Sequence, residues 1–172
     1  MITECYIETN SLTKGNCMQL SLVTTSADMT EELAADFGKR LRGGEVIELV
    51  SDLGGGKTTF VRGLVKGAGS EDAVSSPSFT LSNQYRAQQL TIYHFDFYRL
   101  SDPGIIANEL NEVIDDPRAV VIVEWPKLVQ DILTSEHITI TLRPMNEENQ
   151  RTISFDIPEV SDYLIKELKG TT

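Results

Sequence analysis

The chain has 172 residues, of which 40% are hydrophobic and 24% are charged, a composition typical of a globular protein with one domain. Its formal net charge of −11, with fifteen scattered basic residues, argues against independent binding to nucleic-acid phosphates. No apolar run approaches the roughly 20 residues that span a membrane, and the two cysteines do not indicate a disulfide framework, so we expect a cytoplasmic protein.

Residues 1–17 show weak periodicity and predict an N-terminal extension, either frayed or added to a sheet as an edge strand. The remaining residues, 18–172, predict a single domain in which strands and helices intermix. The apolar pattern predicts strands at 18–25, 45–50, 79–86, 90–100, 119–125, 137–143 and 151–157, helices at 26–41, 58–67 and 161–168, and helical character in an acidic loop at 102–115. We therefore expect an α/β fold of three layers, with a central mixed sheet, parallel and antiparallel, flanked by helices.

The segment LVSDLGGGKTTF, residues 49–60, joins a predicted strand to a predicted helix through three consecutive glycines. The backbone N–H groups of such a loop, together with the helix N-terminus, can enclose a polyphosphate. Lys57 would reach the β- and γ-phosphates, and the Thr58 hydroxyl would bind Mg²⁺. The usual pattern, G-x-x-x-x-G-K-[ST], has a glycine where this chain has Ser51, and a small residue fits there if its φ is negative. The segment predicts a phosphate-binding loop.

Two carboxylates at the ends of predicted strands are candidates for binding the metal ion and for catalysis. Glu124 ends the apolar strand AVVIVE and is expected to point into the cleft above the sheet, where a second acid would fix the metal, although a solvated charge at the strand end is the alternative. Asp96 is the polar residue between Phe95 and Phe97. Three roles remain open for Asp96: binding a magnesium-held water, orienting the attacking water, or pairing with Arg99.

Three further features have a functional and a structural interpretation. Trp125, the only tryptophan, either lies near the nucleotide or belongs to the core. His94 has no companions at metal-ligand spacing, which favours simple packing. The hydroxyls of residues 75–78, including Ser78, occupy the place where GTPase switch loops sense the γ-phosphate, although a plain turn is the alternative.

Taken together, these segments resemble the TsaE (YjeE) family, small bacterial ATPases required for making threonylcarbamoyladenosine in tRNA. The resemblance covers about residues 26–157 and rests on DLGGGKTTFVRG, VSSPSFTL, YHFDFYRL and VIVEWP. The family's forms are close to G-D-L-G-A-G-K-T-T, S-P-T-F, H-x-D-x-Y-R-L and E-W. The chain departs from these forms at Ser51, Gly55 and Ser78.

The resemblance implies a P-loop fold, ATP as the nucleotide, and weak Mg²⁺-dependent hydrolysis that serves a complex of the TsaB and TsaD proteins. These partners would contact tRNA, so this chain would meet tRNA only indirectly. The implied metal positions are Thr58 and Glu124, and the implied catalytic positions are Lys57, Asp96 and Glu124. The nucleotide would contact Leu53, Gly54, Gly55, Gly56, Lys57, Thr58, Thr59, Ser78 and Trp125, and its base would lie against Ala27, Thr30, Gln150 and Arg151.

Two other functions use the same loop. A small-molecule kinase would usually carry a mobile lid with arginines over the transferred phosphoryl group, whereas the arginines of this chain are dispersed. A non-catalytic, nucleotide-gated binding module would bind ATP without hydrolysing it, with Ser51 as the cause of weakened turnover.

Overall fold

The computed structural model describes residues 6–8 (backbone only), 17–102, 104–133, 136–147, 149–166 and 168. Its strands are β1 Tyr6–Glu8, β2 Cys17–Thr24, β3 Val46–Val50, β4 Ser82–Arg86, β5 Thr91–Asp96, β6 Ala119–Glu124, β7 Ile138–Pro144 and β8 Arg151–Pro158. Its α-helices are α1 Ala27–Gly38, α2 Lys57–Gly67 and α3 Gly104–Val113, and short 3₁₀ helices cover Pro126–Leu128 and Glu159–Leu164. No helix in these ranges is long and apolar enough to cross a membrane.

All eight strands form one sheet in the order β1-β2-β8-β7-β3-β6-β5-β4. The four strands β7, β3, β6 and β5 are parallel to one another. The strands on either side pair antiparallel, including β1, which lies within the predicted extension and pairs with β2. The mixed sheet expected from the sequence is therefore confirmed. The central strand β6 is buried along its whole length, as its continuous apolar run predicts.

The sheet separates two apolar clusters, because successive side chains of a strand point to opposite faces. On one face, α1 and α2 pack on the sheet, with Phe37 and Phe60 among the fully buried side chains. On the other face, Leu110 of α3 packs with Phe95 and Val123 of the neighbouring strands. This arrangement of helices on both faces confirms the three-layer α/β fold.

Two predicted helices differ from the observed ones. The first was expected to continue to the glycines at 43 and 44, but α1 ends at Gly38, and its last turn tightens through a bond from the Arg40 amide to the Phe37 carbonyl. The segment 161–168 was expected to be an amphipathic α-helix. Instead, a 3₁₀ helix begins directly after Pro158, and the chain still buries its apolar residues against the sheet, Leu164 among them.

The strand predicted at 79–86 begins only at Ser82. The Leu81 amide bonds to the Pro77 carbonyl at 2.6 Å, and Leu81 has a φ of 68°. This turn replaces the first residues of the expected strand. It also brings residues 76–78 over the end of β5, next to the candidate site.

Candidate functional site

The glycine loop connects the end of β3 to the start of α2. Gly54 and Gly56 have φ angles of 76° and 105°, a region in which residues with a side chain are strained. Gly56 caps α2 without a side-chain hydrogen bond. Glycine has no side chain that could cap the first amides of the helix. The N–H groups of an N-terminus without such a cap can bind an anion.

Lys57 directs its charge into the same loop. The side chain is only 8% exposed, and its Nζ donates to the carbonyl oxygens of Ser51 and Asp52, each at 3.2 Å. The same Nζ lies 3.6 Å from Oε2 of Glu124. The loop thus holds an ammonium group beside the helix N-terminus, and both favour negative charge in the space between them.

Two buried carboxylates lie side by side at the carboxyl ends of parallel strands. Asp96 of β5 is opposite Glu124 of β6, and the two residues are 2% and 3% exposed. Oδ1 of Asp96 accepts the Tyr98 amide at 2.9 Å, and Oδ2 accepts the Ser78 hydroxyl at 2.5 Å. Ligands of open α/β sheets bind at this edge of the strands, so the position fits a reactive site.

These groups line one cleft of about 260 Å³. The structure brings together in it most of the residues that the sequence indicated, namely Leu53, Gly54, Gly55, Gly56, Lys57, Thr58, Thr59, Ser78, Asp96, Glu124 and Trp125. Ser76, from the same serine-rich loop, also lines it. The loop, the lysine and both acids therefore share one space, although they come from distant parts of the chain.

The four residues implied for the base are not among those lining this cleft. Thr30 is 2% exposed, and its hydroxyl bonds to the Thr24 hydroxyl at 2.8 Å and to the Ser26 carbonyl at 3.1 Å. Ala27 begins α1 close to this pair. The Thr30 hydroxyl thus faces the interior, where its hydrogen bonds stabilise the start of the helix.

Arg151 lies nearer to the loop. Its Nε would be 3.9 Å from a β-carbon placed on Gly56, and its Nη1 donates to the carbonyl of Gln150 at 2.8 Å. The guanidinium group therefore flanks the start of α2, on the side formed by β8. The Gln150 amide side chain donates to Glu147 in the adjacent turn.

Trp125 lies between the cleft and the core. Its ring lines the cleft and also packs against the cluster beneath α3. The ring centroid is 5.0 Å from that of Tyr98 and 5.3 Å from Nζ of Lys57. Trp125 thus forms a wall of the cleft within reach of a cation–π contact with the lysine.

His94 packs in the interior, as expected, but it also contacts a residue of the cleft, which the sequence did not indicate. It is completely buried, as a packing residue would be, but its Nε2 lies 2.9 Å from Oε1 of Glu124. His94 precedes Asp96 by two residues on β5, so both side chains lie on the same face of the sheet. That spacing is the signal that could have identified it.

The donor atoms of the cleft fit Mg²⁺. Thr58 and Glu124 both line it, and hydroxyl and carboxylate oxygens are ligands that Mg²⁺ accepts. Among the residues that the structure describes, no group of three or more His, Cys, Asp or Glu side chains could hold a metal ion. Thr58 and Glu124 would supply two protein oxygens, and Mg²⁺ in nucleotide sites usually takes its other ligands from phosphate and water.

Comparison with known proteins gives one consistent result. Residues 24–153 match the model of the family described as Threonylcarbamoyl adenosine biosynthesis protein TsaE. The chain is 33% identical over 137 residues to tRNA threonylcarbamoyladenosine biosynthesis protein TsaE of Bacillus subtilis, covering 80% of this chain and 85% of that protein. It is 31% identical over 152 residues to the protein of the same name in Rickettsia felis, covering 87% of both chains.

A solved structure is similar as well. The crystal structure of Bacillus subtilis YdiB superposes with a TM-score of 0.71 at 29% sequence identity, over 88% of this chain and 95% of that one. The family match spans the glycine loop, both buried acids and the strands from β3 to β7. The chain belongs to the TsaE family.

Proposed function

We propose that this protein binds ATP with Mg²⁺, hydrolyses it slowly, and thereby supports the TsaB–TsaD complex in forming the threonylcarbamoyl modification of adenosine in tRNA. The observation that carries the proposal is the position of Lys57. Its buried Nζ lies between two loop carbonyls and Glu124, at the N-terminus of α2 and inside the cleft. Membership of the TsaE family supports the pathway.

Lys57 and the loop amides bind the polyphosphate in this account. The present partners of Nζ are two carbonyl oxygens at 3.2 Å and a carboxylate oxygen at 3.6 Å. A phosphate oxygen is a stronger acceptor for an ammonium group than a neutral carbonyl, because both partners are charged. The lysine therefore exchanges at least one of these contacts for the nucleotide when it binds.

Thr58 and Glu124 would hold the magnesium ion. When bound, Mg²⁺ neutralises charge that develops on the phosphate oxygens during transfer. Glu124 is well suited because it is 3% exposed and fixed at the end of a central strand, so it has little freedom to lose on binding.

Asp96 orients the attacking water molecule in this proposal. Its two oxygens accept the Tyr98 amide and the Ser78 hydroxyl, which together fix the plane of the carboxylate. Held in this way, the group can orient a water molecule toward the terminal phosphate. The bond to Ser78 also joins the serine-rich loop to the reacting centre, so this loop is positioned to respond to the nucleotide.

The partners supply the contact with tRNA. A chain with a net charge of −11 has little attraction for nucleic-acid phosphates on its own. In this account TsaB and TsaD bind the tRNA, and the present chain acts on their complex through its cycle of ATP binding and hydrolysis. No membrane is involved.

The test is phosphate release from ATP by the purified chain, alone and with TsaB and TsaD, in the presence of Mg²⁺. We expect slow release without any acceptor molecule, faster release with the partners, and loss of release in Glu124→Ala. Glu112→Ala, which removes an exposed acid from α3 on the opposite face of the sheet, is the control. Release that requires an added acceptor would favour a kinase, and binding without release under all conditions would favour a gated binding module.

A further inference from the structure

The buried imidazole of His94 has one hydrogen-bonded nitrogen and one nitrogen without a partner. Its Nε2 is 2.9 Å from Oε1 of Glu124, and both side chains are almost fully buried. The other ring nitrogen, Nδ1, is buried and has no hydrogen-bond partner. The neighbours of His94 on the same face of β5 are Ile92, which belongs to the apolar cluster beneath α1 and α2, and Asp96 of the cleft.

Packing alone does not account for a histidine here. A buried nitrogen without a partner costs roughly 1–3 kcal/mol, and an apolar side chain of similar volume would avoid that cost. The bond from Nε2–H to a buried carboxylate is the one interaction that an apolar residue could not provide, because a hydrogen bond to a charged group is stronger than a neutral one. The significance of His94 therefore lies in what it does to Glu124.

The two oxygens of Glu124 have different partners. Oε1 accepts a hydrogen bond from His94 in the protein interior, whereas Oε2 lies 3.6 Å from the Lys57 ammonium in the cleft. The histidine thus determines which oxygen faces the loop. When Lys57 turns to phosphate, Oε2 is the oxygen that becomes free, while Oε1 remains bound to the imidazole.

We propose that His94 is a positioning residue for magnesium binding: it holds Oε1 of Glu124 so that Oε2 alone is presented to the metal. This inference rests on the proposed function, because it assigns Glu124 to Mg²⁺. A free glutamate side chain has several rotatable bonds, and fixing it before the metal arrives lowers the entropy lost on binding. Hydrogen-bond partners of metal ligands have effects of this kind, and removing one typically costs about 10–100-fold in metal affinity.

The experiment measures Mg²⁺ affinity without catalysis. Trp125 is the only tryptophan and lines the cleft, so its fluorescence reports on Mg²⁺ added to the complex with a non-hydrolysable ATP analogue. Binding of Mn²⁺ to the same complex, followed by electron paramagnetic resonance, gives a second readout. Affinity for the analogue in EDTA, where no metal is bound, reports the contribution of Lys57 and the loop amides alone.

We expect His94→Leu to lower the affinity for Mg²⁺ by about 10–100-fold and to leave analogue binding in EDTA unchanged. His94→Gln should restore most of the metal affinity, because its amide N–H reaches the place of Nε2, whereas His94→Asn is too short and should not. Ile92→Val, a conservative change on the same face of β5, should not alter the metal affinity. If the leucine variant fails to fold, the glutamine and asparagine variants carry the comparison.

The inference is overturned if His94→Leu binds Mg²⁺ as tightly as the wild type, or if glutamine is no better than asparagine. A failure of the proposed function would give a different result. The wild-type chain itself would then bind the analogue equally tightly with and without Mg²⁺.

Discussion

Ser51 and Gly55 face each other across the turn of the glycine loop. The Ser51 hydroxyl donates to the Asp52 carbonyl at 3.1 Å. A β-carbon on Gly55 would lie 1.7 Å from that hydroxyl oxygen and 3.1 Å from the β-carbon of Ser51. Ser51 does not have the positive φ of Gly54 and Gly56, so its side chain is tolerated without backbone strain. The serine at 51 and the glycine at 55 are therefore compatible with each other, because an alanine at 55 would require the Ser51 hydroxyl to move.

A double-mutant cycle at these positions should be non-additive. Gly55→Ala alone requires the Ser51 side chain to rotate and to give up its bond to the Asp52 carbonyl, which should lower the melting temperature and the affinity for ATP by a small amount. Ser51→Gly alone should change ATP affinity only modestly. The double variant should regain the loss, with a coupling energy of about 1 kcal/mol between the two sites. Calorimetric melting and ATP titration of the four proteins provide the measurement, and additive effects would show that the residues are independent.

At the scale of elements, the site depends on how closely α1 and α2 pack. A β-carbon on Gly63 would lie 2.2 Å from the Glu31 carbonyl oxygen, and one on Gly67 would lie 2.0 Å from that of Ala35. On α1, a β-carbon at Gly38 would meet the Leu64 carbonyl oxygen at 2.2 Å. The backbones of the two helices are therefore in contact. Because α2 begins at Lys57, this packing fixes the lysine relative to the sheet.

Gly63→Ala tests that contact, because helix propensity and packing predict opposite changes in the free energy of unfolding. Helix propensity alone would make this substitution stabilising by about 1 kcal/mol. The structure predicts the opposite, because the new methyl group overlaps the backbone of α1, and overpacking of this kind costs roughly 1–3 kcal/mol. Denaturant unfolding of the variant and the wild type measures the difference. A stabilised variant would mean that the helices do not approach as closely as described.

At the scale of the whole molecule, the sheet assembles the site from residues far apart in the sequence. The parallel pairing of β5 with β6 places Asp96 beside Glu124, and the pairing of β3 with β6 places the glycine loop next to both. The local elements follow from apolar periodicity, and the phosphate-binding loop follows from its glycines and lysine. These features were predictable because each depends on residues close together in the chain.

The parts that could not be predicted depend on contacts between distant segments. The bond between His94 and Glu124 exists only because two strands pair in one register. The inward hydroxyl of Thr30 depends on Thr24 at the end of β2. The last apolar segment forms a 3₁₀ helix directly after β8, although its periodicity also suits an α-helix.

The most direct test of the account is the affinity of Lys57→Ala for a non-hydrolysable ATP analogue with Mg²⁺, measured by calorimetry. A charge-assisted hydrogen bond contributes about 1.5–3 kcal/mol, so we expect affinity to fall by about tenfold to a hundredfold. Lys66→Ala is the matched control, since it removes the same charge from an exposed position in the last turn of the same helix. The account predicts a large loss in the first variant and none in the control. Wild-type affinity in Lys57→Ala would contradict it.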